Sequence, residues 1–237
     1  MGPGHTVTLL GEHLHGARAR DEVGLAGVPR LFVTAMAAFL LVTSAAAFGI
    51  AAWLDRAVRL TAWLHSDLLD EVLREVERPG QRVVVLPALF AATAYLGWRW
   101  RRTTPWLAAL IAVAGVNVCV GTLKWWSERA TPRLGGPEFF NEHISRTFGA
   151  YPSGHATNTG MWVTLAWFLA HDASRRVRRT VRGTACAMGV VILLCSWLRT
   201  THWVTDLLGG AALGCTLACA GLLLAQRFGR WSARGRY

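Results

Sequence analysis

Six apolar runs separated by short charged or turn-forming segments are the feature that most constrains the fold of this chain. They cover residues 31–54, 83–98, 106–123, 156–170, 184–198 and 204–224. A helix needs about 20 apolar residues to cross a bilayer, and the shorter runs approach that length with their flanking Trp and Thr residues. Backbone groups in lipid must be satisfied within the segment, so the runs are predicted to be helices. The sequence therefore predicts an all-α polytopic membrane protein, a six-transmembrane-helix bundle.

The distribution of arginine predicts the orientation of this bundle. With a cytoplasmic N-terminus, 15 of the 25 Lys and Arg residues lie inside, in segments 1–30, 99–104, 171–182 and 225–237. Basic residues near span ends are retained in the cytoplasm, whereas acids count for little. We therefore expect both termini in the cytoplasm of a multi-pass cell-membrane protein. The net charge of +11 is then mainly a topology signal, and no nucleic-acid-binding motif accompanies it.

The same pattern divides the chain into three parts and adds one surface helix. Residues 1–30 are polar and are expected to form a poorly ordered cytoplasmic segment. Residues 31–226 are expected to form the six-helix membrane domain, and residues 227–237 a cytoplasmic basic tail. Between the first two runs, residues 55–78 carry apolar side chains at helical spacing but too many charges to cross a membrane. This segment predicts an amphipathic helix lying along the outer membrane surface.

Two histidines stand at the mouths of apolar runs on the same predicted side of the membrane. One is His155, in the sequence Pro-Ser-Gly-His, and the other is His202. On an ideal helix Arg199, His202 and Asp206 stand at i, i+3 and i+7, and so project from one face. A carboxylate one turn away can fix the tautomer of an imidazole and make it a nucleophile, and a guanidinium can hold a phosphate oxygen. Ionisable groups are costly in a membrane, so this cluster indicates a functional site.

The segment 124–151 is the longest irregular stretch, and it leads directly into a predicted helix that begins Ser-Gly-His. Amide groups at a helix N-terminus form a natural anion site. Gly154 allows the backbone to approach a ligand closely. A serine N-cap followed by a solvated histidine would be the ordinary interpretation of this tetrapeptide. The second histidine with its acid partner favours an anion site instead.

These residues resemble the motifs of the type 2 phosphatidic acid phosphatase superfamily, which are Lys-x6-Arg-Pro, Pro-Ser-Gly-His and Ser-Arg-x5-His-x3-Asp. The second motif is complete, the third keeps His202 and Asp206, and the first keeps Lys124 and Pro132. The resemblance covers residues 83–226. It implies the six-span layout of the membrane-bound branch and the activity of a lipid phosphate phosphatase.

The chain departs from these motifs at two arginines. Thr131 stands where the first motif has arginine, and Ser196 stands where the third has it, preceded by a cysteine in place of serine. Arg129 matches a position where many family members carry an additional arginine. Arg199 matches no family arginine, and helix geometry alone nominates it. These two residues are the expected substitutes.

The resemblance implies a role for each matched residue. His202 would attack phosphorus and form a phosphohistidine, Asp206 would hold its other ring nitrogen, and His155 would act as general acid and then base. The residues expected to bind the phosphate are Lys124, Arg129, Ser153, Gly154 and Arg199. No metal or other cofactor is expected, because the chain lacks the carboxylate cluster of a magnesium-dependent phosphatase.

The sequence thus predicts metal-independent hydrolysis of a lipid phosphate or lipid diphosphate at the outer membrane face. A polyprenyl diphosphate such as undecaprenyl diphosphate is favoured, with phosphatidic acid and phosphatidylglycerol phosphate as further substrates. One alternative is a lipid phosphotransferase that uses the same intermediate, and another is a non-enzymatic transporter of lipids or anions. The expected partners are the bilayer and the lipid substrate, without nucleic acid. The oligomeric state stays open.

Overall fold

The computed structural model describes residues 27–59, 66–140 and 149–234, and no β-strand occurs in these ranges. Eight α-helices are present there: α1 Val28–Ala47, α2 Ala52–Arg56, α3 Asp67–Glu77, α4 Arg82–Trp100, α5 Thr104–Ser127, α6 Gly154–Leu169, α7 Arg175–Leu198 and α8 Val204–Arg234. A 3₁₀ turn, Arg78–Gly80, joins α3 to α4. The prediction of an all-α membrane protein is confirmed.

Five segments are long and apolar enough to cross a bilayer. They are Val28–Ala47, Asp67–Trp100, Thr104–Ser127, Arg175–Leu198 and Val204–Phe228. The remaining predicted span, 156–170, corresponds to α6, which has only 16 residues, or about 24 Å of helix. The predicted count of six full-length spans is therefore not exact. Eight of its side chains are buried, so protein surrounds much of this helix.

Helix α8 lies at the centre of the bundle and packs against α1, α5 and α6. Small residues allow α6 and α8 to approach backbone to backbone. A Cβ added at Gly214 would lie 2.0 Å from the carbonyl oxygen of Thr157, and one added at Gly160 would lie 2.2 Å from that of Ala211. Any larger side chain at either glycine would force the two helices apart. This packing fixes the N-terminal ends of α6 and α8 beside each other.

Two predicted segments differ in detail from the structure. The apolar run 31–54 is not one span, because α1 ends at Ala47 and the chain turns at Gly49, which has a φ of +71°. The predicted amphipathic helix over 55–78 is present as α3, which begins only after residues 60–65, outside the described residues. Ser66 caps α3 by accepting a hydrogen bond from the Leu69 amide at 3.2 Å.

Helix α3 turns its apolar side chains outward and two of its acids inward. Leu68, Val72 and Val76 are exposed, whereas Glu77 is 2% exposed. The helix packs against α7. The exposed apolar face fits the predicted position at the membrane surface, and the inward acids bring negative charge to the end of the bundle where α6 and α8 begin.

Candidate active site

His202 lies in the short connection between α7 and α8, and its partner Asp206 lies in the first turn of α8. Nδ1 of His202 is 3.5 Å from Oδ2 of Asp206. This is longer than a formed hydrogen bond, and Nδ1 has no other hydrogen-bond partner among the described residues. The His202 side chain is 13% exposed, whereas Asp206 is fully buried. The carboxylate is therefore placed behind the ring, and contacts of this kind tighten in catalytic complexes.

The predicted common helical face of Arg199, His202 and Asp206 is wrong. Helix α7 ends at Leu198, Thr200 adopts a left-handed φ of 49°, and α8 begins only at Val204. A residue in this conformation ends a helix. His202 and Asp206 still lie close together because they are only four residues apart at the start of α8. Arg199 instead contacts Asp70 and Glu77 of α3.

Asp206 is oriented by contacts on both of its oxygens. Oδ2 accepts a hydrogen bond from the Trp203 amide at 2.9 Å, which satisfies a free donor at the start of α8. Oδ1 accepts a hydrogen bond of 2.5 Å from Arg129. In addition, the Ser153 amide donates to the Asp206 carbonyl at 3.1 Å. The last bond joins the Pro-Ser-Gly-His segment directly to the helix that carries the histidine partner.

Arg129 is completely buried and bound on every side. Besides Asp206, it forms a 2.5 Å ion pair with Asp55, and it donates to Thr205 Oγ1 and the Pro137 carbonyl at 2.7 Å. The predicted phosphate contact of Arg129 would require one of these bonds to open. In the structure its guanidinium neutralises two buried carboxylates and holds Asp206 in place.

Asp55 is a site residue that sequence reasoning missed. Its Oδ1 accepts a hydrogen bond of 2.9 Å from the Thr205 amide, so a residue of α2 caps the N-terminus of α8. Burial raises the pKa of Asp55 above its ordinary value, although Arg129 and Thr205 act in the opposite direction. The only signal in the sequence was an acid at the end of the first apolar run, 150 residues from its partner.

His155 occupies the first turn of α6. Ser153 caps this helix by accepting a hydrogen bond of 3.3 Å from the Ala156 amide. A Cβ added at Gly154 would meet no atom within 4 Å, so the space over this backbone is open to a ligand. The 3.1 Å hydrogen bond from the Ser153 amide to the Asp206 carbonyl holds the start of α6, which carries His155, beside the start of α8. Lys124 lies in the last turn of α5, and its Nζ donates a hydrogen bond to the Gly149 carbonyl.

Glu77 is a second missed residue, and it faces His155. Its Oε1 lies 3.3 Å from Nε2 of His155, and its Oε2 lies 3.0 Å from the guanidinium of Arg199. Arg199 also contacts Asp70 at 3.1 Å. Burial disfavours the charge of Arg199, but the hydrogen bonds to Asp70 and Glu77 outweigh this effect and raise its pKa. Arg199 is thus a permanent cation held by carboxylates of α3, and its predicted phosphate contact stays a prediction.

The structure brings together Lys124, Ser153, Gly154, His155, His202 and Asp206, and places Arg129 and Arg199 behind them. Ser196, which replaces the motif arginine, is buried, and its hydroxyl has no partner in the part of the chain that is described. His143, in the loop before the site, lies outside the described residues. Within those residues, no group of three or more His, Cys, Asp or Glu side chains is arranged to hold a metal ion.

Fold and site together define a membrane-embedded, all-helical protein with two histidines and several cations at one end of its bundle. Residues 104–230, more than half of the chain, match the sequence profile of the PAP2 superfamily. The chain therefore belongs to the PAP2 superfamily, and the membership predicted from the three motifs is confirmed.

Two relatives support the same assignment. The chain is 26% identical over 167 residues to phosphatidylglycerophosphatase B of Bacillus subtilis (strain 168), covering 69% of this chain and 79% of the relative. Its fold is similar to the crystal structure of a transmembrane PAP2-type phosphatidylglycerolphosphate phosphatase from Bacillus subtilis. The TM-score is 0.65 at 20% identity, over 84% of this chain and 96% of the other. The prediction of a multi-pass membrane lipid phosphatase is thus confirmed at the level of class.

Proposed function

We propose that the protein hydrolyses a lipid phosphate or lipid diphosphate without a metal, through a phosphohistidine formed on His202. The observation that carries this proposal is the His202–Asp206 pair at the start of α8, which the Ser153–Asp206 backbone hydrogen bond joins to the segment that carries His155. A buried carboxylate behind one imidazole and a second imidazole nearby supply a nucleophile and a proton donor. A phosphoryl transfer through a covalent intermediate uses one group in each of these roles.

The reaction has two steps. In the first, Nε2 of His202 attacks phosphorus, the bond from phosphorus to the leaving oxygen breaks, and His155 donates a proton to that oxygen. In the second, water attacks phosphorus, His155 accepts a proton from the water, and the phosphorus–nitrogen bond breaks. Asp206 stabilises the positive charge that develops on His202. Both histidines return to their starting states when phosphate leaves.

The phosphate oxygens are proposed to lie against Lys124, Ser153 and the Gly154 amide. Lys124 would exchange its bond to the Gly149 carbonyl for the substrate. The open space over Gly154 gives an oxygen access to the start of α6. Arg129 and Arg199 complete the positive surroundings, and each must compete with its carboxylate partners for a direct contact. Charge stabilisation of this kind is usually the largest contribution to catalysis.

We propose that the site faces the outside, with both termini in the cytoplasm, because arginine clusters retain 99–104 and 171–182 inside. An outward site favours a polyprenyl diphosphate as the substrate. The name of the curated relative supports phosphatidylglycerophosphate as a second candidate. In either case the lipid tail stays in the bilayer while the phosphate reaches the ends of the helices.

The proposal is tested with the purified full-length protein in detergent and EDTA. We expect phosphate release from at least one lipid among a polyprenyl diphosphate, phosphatidylglycerophosphate and phosphatidic acid, and an acid-labile phosphoenzyme. His202→Ala should abolish both. His171→Ala is the matched control, because His171 also lies beside an acid, Asp172, at 3.1 Å, but in the connection between α6 and α7. Phosphate release that needs added metal, or an active His202 variant, would contradict the proposal.

A further inference from the structure

A cavity of about 240 Å³ lies beside His155, where α4 and α6 begin. It is lined by Gly80, Gln81, Arg82, Gly154, His155 and Asn158. The cavity adjoins the proposed proton donor and does not include the proposed nucleophile among its lining residues. In a phosphoryl transfer the leaving group lies on the side of the proton donor, opposite the attacking atom. The geometry therefore makes this cavity a place for the leaving group.

Arg82 gives the cavity a positive charge that is not already neutralised. It is the first residue of α4, it is exposed, and it forms no ion pair within the described ranges. Arg129 and Arg199, by contrast, are each bound to two carboxylates. Arg82 lines the same cavity as Gly154, whose amide is proposed to bind the phosphate, so it lies near the phosphate position. Of these three arginines, Arg82 is the one with a guanidinium that can bind a ligand without breaking an ion pair.

Asn158 supplies a second, independent indication of a ligand. Its side chain is only 3% exposed and lines the cavity one turn along α6 from His155. Its side-chain amide has no hydrogen bond to any residue in the part of the chain that the structure describes. Because Asn158 lines the cavity, its amide is available to donate a hydrogen bond to a ligand there.

We propose that Arg82 and Asn158 bind a second phosphate group, carried by the leaving group of the substrate. This inference rests on the proposed function and names the feature by which the site would select its lipid. A guanidinium and an amide are the donors that recognise phosphate oxygens. A polyprenyl diphosphate retains its inner phosphate on the leaving group, and phosphatidylglycerophosphate retains its phosphodiester. Phosphatidic acid leaves an uncharged diacylglycerol, which has nothing for Arg82 to bind.

The test compares three substrates with the full-length protein and its variants. We expect Arg82→Ala to lower kcat/KM at least tenfold for a polyprenyl diphosphate, for phosphatidylglycerophosphate, or for both. The factor by which it lowers kcat/KM for phosphatidic acid should be at least five times smaller. Arg82→Lys should keep part of the preference because it retains the charge. Asn158→Asp should reduce activity on the two-phosphate lipids most strongly, since it places a negative charge in the cavity.

Arg78→Ala is the matched control. Arg78 lies four residues away in the same segment, but it is paired with Glu75 at 2.9 Å and does not line the cavity. It should not change the ratio between substrates. A selective loss on only one of the two-phosphate lipids would identify which of them the cavity fits. An equal loss on all three lipids, or no loss, would overturn the inference. A wild-type protein inactive on all three would instead overturn the proposed function.

Discussion

The carboxylate of Glu77 lies 3.3 Å from Nε2 of His155, and both side chains lie at the end of the bundle where α6 begins. Glu77 belongs to α3, which is not part of any of the three motifs, and it contacts the histidine of the Pro-Ser-Gly-His motif. A buried carboxylate beside an imidazole stabilises the protonated ring and fixes its orientation. Burial lowers the pKa of His155, and the charge of Glu77 acts in the opposite direction, so Glu77 is placed to favour the protonated form of the proposed proton donor.

Glu77→Gln should reduce turnover of a lipid substrate, with a change in pH dependence. The amide keeps the size of the side chain but no longer stabilises the imidazolium, so His155 should lose its proton at lower pH. The high-pH limb of the turnover profile should then move toward lower pH. Glu75→Gln is the control, because Glu75 is half-exposed and pairs with Arg78. A profile that falls in height without moving would mean that Glu77 is only structural.

Arg199→Ala should lower turnover at least tenfold, whereas Ser196→Ala should do much less, because a charge-assisted contact is worth roughly 1.5–3 kcal/mol. The Arg199–Glu77 ion pair makes it possible to test whether Arg199 acts through Glu77 or contacts the phosphate directly. If Arg199 acts through Glu77, the double variant with Glu77→Gln should be no worse than the more damaging single variant. Losses that simply add would instead indicate a direct phosphate contact. Equal behaviour of the Arg199 and Ser196 variants would contradict both roles.

Arg129→Ala should destabilise the protein by about 3–5 kcal/mol, because it leaves two buried carboxylates without a counter-charge. Thermal unfolding in detergent should show the loss as a lower midpoint. Arg133→Ala is the control, since Arg133 is half-exposed and pairs with Asp70 at 2.9 Å. A stable but inactive Arg129 variant would show that this residue binds the substrate more than it supports the fold.

The two histidines should fail in different ways. His202→Ala should abolish hydrolysis and phosphoenzyme together, whereas His155→Ala should lower turnover of lipid phosphate by about 10²–10⁴. A good leaving group needs little protonation, so the His155 variant should still form phosphoenzyme from p-nitrophenyl phosphate. The turnover of Asp206→Asn should lie between the turnover of the His202 variant and that of the His155 variant. Rapid-quench trapping of labelled protein measures the intermediate, and a His155 variant that forms none would contradict its assignment as a proton donor alone.

Labelling of intact cells tests the proposed orientation. In a background without the five native cysteines, a cysteine at Glu138 should react with an impermeant thiol reagent, whereas one at Arg179 should not. The two positions lie at opposite ends of the bundle. Glu138 is in the connection before α6, and Arg179 is near the start of α7. The reverse pattern would place the site in the cytoplasm.

Local sequence predicted the residues whose partners lie close along the chain, and missed those whose partners lie far away. His202 and Asp206 are four residues apart, so their contact follows from spacing. Asp55 and Glu77 meet their partners across 150 and 78 residues, and within a charged segment they look like solvated acids. The predicted position of Arg199 failed for a local reason, because the left-handed Thr200 interrupts the helix that the geometry assumed.

The contacts of Asp55 and Glu77 also extend the candidate site beyond the segment that matches the family profile. Both acids, together with Asp70 and Arg82, precede residues 104–230, the part that matches the superfamily profile. The proposed nucleophile and proton donor therefore lie within the matched segment, whereas these four surrounding residues come from the segment before it. Exchange of residues 52–82 between relatives should change which lipid is preferred and leave the phosphorus chemistry intact.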